Sequence, residues 1–158
     1  MKKLLIIVAL FATSYSNTVF AQNNTVTPSS SLLSAYYGLK NALIAGNSGD
    51  ASIHAAQMAG LINVVDSQKV KGDIREEILV DATHISKSKD INHQREHFAR
   101  LSTNLYTVAK AIKLADEPIY YDYCPMKKSY WLSNNSAIKN PYYGSQMLTC
   151  GKIAETLK

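Results

Sequence analysis

Phe98, Leu101, Leu105, Val108 and Ile112 recur at alternating spacings of three and four, which commits this stretch to an amphipathic helix. Asp90 stands ready to cap it, and a helix from Ile91 to Leu114 would measure about 36 Å at 1.5 Å per residue. Three further stretches carry the same period. Leu32, Tyr36, Leu39 and Leu43 form one, with serines upstream as caps and Gly46 just past its end. Asp50 can cap a second, whose Ile53, Ala56, Gly60 and Val64 share a stripe, and Ile74, Ile78, Ala82 and Ile85 mark a shorter third. The connections are short, so consecutive helices should pack antiparallel. The expected fold is mainly α, an up-and-down four-helix bundle.

After Pro118 the texture changes. Tyr120, Tyr121, Tyr123, Tyr130, Trp131, Tyr142 and Tyr143 crowd together, broken by Pro125 and Pro141, with no helical period. This reads as an irregular, aromatic-rich C-terminal arm, with room for a short β-hairpin, lying across the bundle. Aromatics in such an arm can bind sugars or cations. The commoner use is to bury area against helices that lack large side chains, and that is the reading taken.

The N-terminus is expected to be removed. Lys2 and Lys3 precede an apolar run from Leu4 to Ala12, and Val19-Phe20-Ala21 offers small residues around a cut after Ala21. The run is short of the roughly 20 residues that span a bilayer, and no cysteine near the junction offers a lipid attachment point. Residues 1–21 therefore read as a signal peptide, 22–31 as a polar, flexible lead-in, and 32–158 as one domain, periplasmic or secreted and not inserted in a membrane. Without Lys2 and Lys3 the formal net charge of +5 falls to +3, and the basic residues are scattered. No nucleic-acid partner is expected.

Two cysteines lie in the expected mature chain. An even count in an oxidising compartment makes a Cys124–Cys150 disulfide the default, and closing that loop would stabilise the fold by about 3–4 kcal/mol in the chain-entropy model. Each cysteine also has a methionine close by, in Cys124-Pro125-Met126 and Met147-Leu148-Thr149-Cys150. If the arm folds so that its ends meet, four sulfur donors converge, a set suited to Cu(I) or Ag(I) and unsuited to Mg or Ca. Met126 and Met147 could instead fill gaps beside tyrosines. Both readings stand at this point.

His93 and His97, spaced i,i+4, share a helix face and form a weaker, secondary metal candidate. A pair of ligands needs further donors, so two surface histidines are the simpler reading. His54 and His84 stand alone in the sequence. Glu76-Glu77 reads as a solvated charge pair, and the chain carries no Gly-x-Ser-x-Gly, His-Glu-x-x-His or phosphate-binding glycine loop. An enzyme is not expected.

The segments Tyr120 to Met126, Tyr130-Trp131-Leu132-Ser133, Ile138-x-Asn140-Pro141-Tyr142-x-Gly144 and Met147-Leu148-x-Cys150-Gly151 resemble a domain of unknown function. That domain occurs alone in secreted bacterial proteins and at the C-terminal end of periplasmic adaptor subunits of copper/silver efflux pumps of the resistance-nodulation-division class. The likeness reaches upstream, through Leu33-x-x-Tyr36-x-x-Leu39-Lys40-x-Ala42-Leu43 and Gln94-Arg95-x-x-Phe98-x-x-Leu101-Ser102. The resemblance implies a heavy-metal efflux context and strengthens the soft-metal reading of Cys124, Met126, Met147 and Cys150. The expected function is an accessory domain that binds or hands over Cu(I) or Ag(I). The alternative is a metal-free module, stapled by Cys124–Cys150, that docks to another envelope protein. This chain departs from the family pattern in having His93 and His97, and in the short link Lys127-Lys128-Ser129-Tyr130 between Met126 and Trp131.

Overall fold

The computed structural model describes residues 27–66 and 68–158, so the expected signal peptide and its cleavage point lie outside the described residues. Four helices come first: α1 (Pro28–Ala45), α2 (Ser48–Leu61), α3 (Gly72–Lys87) and α4 (Ile91–Ala111). Three strands follow: β1 (Ile119–Cys124), β2 (Ser129–Ser133) and β3 (Lys152–Leu157). The protein is mainly α, with consecutive helices packed on one another and the sheet laid against α4 through β2.

Local chemistry sets the helix ends. Thr27 caps α1 by accepting from the Ser30 amide at 3.1 Å, and the Ser30 hydroxyl accepts from the Thr27 amide at 3.0 Å, a reciprocal pair. Pro28 occupies the first turn, where its missing N–H costs nothing. Helix α1 therefore starts inside the segment read as lead-in up to Ser31. Gly46, at φ 73°, ends α1 in the left-handed conformation that glycine adopts without strain. Asn47 is then the first extended residue, and its Oδ1 accepts from the amides of Gly49 and Asp50, both at 3.1 Å. The cap of α2 is thus Asn47 and not Asp50, which sits inside the first turn and accepts from Asn47 Nδ2 at 2.7 Å. Asp90 caps α4 as expected, accepting from the Asn92 amide at 2.9 Å.

The buried faces follow the periods read from the sequence in α1, α3 and α4. Leu32, Tyr36, Leu39 and Leu43 are buried on α1; Ile78, Ala82 and Ile85 on α3; Phe98, Leu101, Leu105 and Val108 on α4. Helix α4 stops at Ala111, before the expected Leu114, because Ile112 turns to an extended conformation at ψ 151°. Helix α2 differs. Its buried face is Ala51, Ala55 and Met58, continued by Ile62, while Ile53 and Val64 are 58% and 61% exposed. Two apolar stripes compete on this helix, and the one with alanines at its centre is turned inward against its neighbours. Ile53→Ser should therefore change stability by less than about 0.5 kcal/mol in urea denaturation. A loss beyond 2 kcal/mol would return Ile53 to the core.

The arm is more ordered than expected. β1 is the central strand of an antiparallel sheet in the order β2-β1-β3. A tight hairpin joins β1 to β2, with Tyr120 opposite Ser133 and Cys124 opposite Ser129. β3 pairs along the other edge of β1, with an irregularity between Tyr121 and Asp122. Tyrosines link sheet and helix. Tyr106 of α4 stacks on Tyr121 at 3.8 Å between ring centres, and Tyr121 stacks on Tyr130 at 4.7 Å. Tyr36 knits the remaining layers: its ring stacks on Phe98 at 5.2 Å, and its hydroxyl meets Ser102 Oγ at 2.8 Å and accepts from the Leu132 amide at 2.9 Å. One side chain thereby joins α1, α4 and β2.

Candidate functional site

The two cysteines meet. Cys124 ends β1 and is fully buried, while Cys150 lies just ahead of β3 and is half-buried. Pairing of Tyr123 with Lys152 draws these strand ends together and brings the two thiols beside each other. The structure carries both as free thiols. Asn140, itself fully buried, organises the surroundings. Its Nδ2 donates to Cys124 Sγ at 3.1 Å and to the Cys150 carbonyl at 2.7 Å, while its Oδ1 accepts from the Tyr142 amide at 2.8 Å. The Lys127 amide also points at Cys124 Sγ, at 3.4 Å. Burial, and then the charge of the adjacent Cys124, raise the Cys150 thiol above its usual range, opposed by a hydrogen bond from the Met126 backbone.

The methionines join the pair through their backbones. The Met147 carbonyl accepts from the Cys150 amide at 3.1 Å, and the Met126 backbone reaches the Cys150 sulfur. Met126 lies in the β1–β2 turn and is 64% exposed, and Met147 ends a short 3-10 turn and is half-buried. The expected convergence of the arm's ends is thus present for Cys124 and Cys150. Met126 lies beside them with its side chain largely in solvent.

His93 and His97 share a face of α4, and a third histidine joins them. His84, which stands alone in the sequence, projects from α3 so that its ring stacks on His97 with centres 4.3 Å apart and lies 5.9 Å from His93. His93 and His97 are 4.5 Å apart, and one ring nitrogen from each of the three lies within 4.8 Å of the others. His97 Nδ1 donates at 2.7 Å to Oδ1 of Asp81, a carboxylate that is only 2% exposed and also accepts from Arg100 Nη2 at 2.6 Å.

A second buried charge lies under the sheet. Asp122 on β1 is fully buried, and neither of its carboxylate oxygens has a hydrogen-bond partner among the described residues. Burial pushes its carboxyl up from 3.8 to about 7, against the opposing pull of Lys40. Lys40, on α1, is 4% exposed; burial lowers its ammonium from the usual range, and its Nζ lies 3.4 Å from Ser133 Oγ. Sequence reasoning passed over both. The available signal was a lone acid inside the strand Ile119-Tyr120-Tyr121-Asp122-Tyr123-Cys124.

Fold and site together define a helical domain that carries a thiol pair on a small appended sheet. The chain belongs to a family described as protein of unknown function (DUF3347), which matches residues 32–117 of its 158, more than half. The matched stretch holds all of α2, α3 and α4 and nearly all of α1, and ends just before β1. The sheet, with Cys124 and Cys150, lies beyond it. No curated protein and no solved structure matches the chain. No helix among the described residues is long and apolar enough to cross a membrane.

Proposed function

We propose that this protein is an exported accessory domain that binds a soft metal ion, Cu(I) or Ag(I), at the Cys124/Cys150 pair and hands it on in heavy-metal efflux. The observation that carries the reading is the adjacency of the two thiols at the sheet's end, held there by Asn140. Paired thiolates are the ligands such ions prefer, and thioethers complete their coordination. Met126, exposed in the turn next to Cys150, has the freedom to swing over a bound ion, and Met147, whose carbonyl accepts from the Cys150 amide, is a second candidate. Half-burial of Cys150 leaves a path for transfer to a partner. The export signal read at residues 1–21 and the resemblance to the C-terminal domains of copper/silver efflux adaptors support the same context. Binding rather than catalysis is the role proposed.

The same adjacency favours one alternative, a Cys124–Cys150 disulfide that staples the sheet of a docking module. The two readings disagree about methionine. Leucine is close to methionine in volume, so Met126→Leu with Met147→Leu should leave folding nearly intact under either. Under the metal reading, Cu(I) affinity of the reduced protein, titrated against a competing chelator, should fall at least tenfold, about 1.4 kcal/mol. Equal affinity in the reduced wild type and the leucine variant would leave the disulfide module as the surviving reading.

A further inference from the structure

We propose that His84, His93 and His97 form a second metal site, specific for a divalent ion that prefers imidazole, with Zn(II) as its representative. Three neutral imidazoles around one point are a donor set for Zn(II), Cu(II), Ni(II) or Co(II), and differ in kind from the sulfur pair on the sheet. Three ring nitrogens within 4.8 Å of one another can reach a common ion once the exposed His84 ring turns out of its stack on His97.

The surroundings prepare the rings for ligation. The short contact from His97 Nδ1 to Asp81 Oδ1, at 2.7 Å, places the ring proton on Nδ1 and leaves the Nε2 lone pair free. A carboxylate behind a ligating histidine fixes its tautomer and ring orientation, and Asp81, clamped in turn by Arg100, holds that position. Backbone placement is equally constrained. Gln94, fully buried on α4, points its Nε2 at the carbonyls of Ile85 at 3.2 Å and Ser88 at 2.8 Å, where α3 ends, and at the Ser48 carbonyl of α2 at 3.0 Å. It thereby pins the α3 end that carries His84 against the α4 turn that carries His93 and His97. His84 is exposed and borders a cleft of about 310 Å³ with Thr83, Lys87, Ser88 and His93, so solvent can fill the remaining coordination position.

The test uses the full chain with Cys124→Ser and Cys150→Ser, which silences the sulfur pair and keeps the two sites distinguishable. Calorimetric Zn(II) titration should give one equivalent in this background, and Co(II) substitution should give d–d bands without thiolate charge transfer. Adding His84→Gln, at an exposed position with no part in the core, should weaken Zn(II) binding at least tenfold, and His93→Gln should do the same. No Zn(II) binding in the cysteine-free background, or binding unchanged by His84→Gln, would overturn the site.

Discussion

Trp131→Ala is expected to cost about 3–5 kcal/mol, a large share of the 5–15 kcal/mol that holds a typical domain together. Trp131 is fully buried on β2, opposite Asp122 of β1 and edge-on to Tyr142 at 6.0 Å. Its ring also lies against Gly151, where an added Cβ would come within 2.7 Å of Cη2. Removing the indole empties the space between the hairpin and the segment that carries Cys150. Its Nε1 is buried without a hydrogen-bond partner among the described residues, so Trp131→Phe loses area but no satisfied polar contact and should cost less than the alanine change. Urea unfolding followed by far-ultraviolet circular dichroism reads the effect, because the substitution deletes the chain's one tryptophan fluorophore. The result also decides whether the sheet, which lies beyond the family-matched residues 32–117, folds as one unit with the helices. A cost below 1 kcal/mol would make the sheet an independent appendage.

What could be read from sequence depended on how many apolar faces each segment offered. Helix α4 presents a single face of large side chains, so its seam at Phe98, Leu101, Leu105 and Val108 matches the buried set. Helix α2 offers two, each with two large side chains: Met58 and Ile62 on the buried one, Ile53 and Val64 on the exposed one. Size does not separate two such faces, and the alanines Ala51 and Ala55, which let neighbouring helices approach, mark the buried one. The cap of α2 was expected at Asp50, and the end of α1 at Gly46 moves it to Asn47. Strand β3 had no legible pattern because nearly all its side chains are exposed and the backbone of β1 alone makes it a strand.

The sites divide in the same way. Cys124 and Cys150 bracket the arm, so their meeting followed once the arm was taken to fold back. The histidine cluster needed one further step. Ser88, Lys89 and Asp90 connect α3 to α4, and residues equally distant from the middle of such a turn face each other. That symmetry places Asp81 beside His97, and brings His84, one residue off the mirror position of His93, into the same cluster. Spacing within α4 alone shows only two of the three rings. Lys40 and Asp122 are far apart in sequence and are brought near only by packing of α1 under the sheet, which no local pattern announces.

That buried pair carries the second large effect, a pH dependence of unusual sign. The Asp122 carboxyl titrates at about 7 in the folded protein, raised from 3.8 because burial disfavours the anion more than Lys40 favours it. Between about pH 4 and pH 7 the folded state keeps a proton that the unfolded chain has released. Stability therefore falls as pH rises through this window and levels off above it, the reverse of a salt-bridged aspartate. A shift of about three pH units corresponds to an upper limit of about 4 kcal/mol. Asp122→Asn keeps the shape of the side chain and removes the titration, so the variant should show none of this loss and should exceed wild type in stability at pH 7.5. The comparison cancels the titrating groups that do not interact with Asp122, the four histidines included, because both proteins carry them; Lys40, which Asp122 faces, is the exception. Urea unfolding of the pair at pH 4.5 and pH 7.5 makes the measurement. Parallel stability changes between the two pH values would mean that Asp122 is ionised in the folded protein and that Lys40 neutralises it.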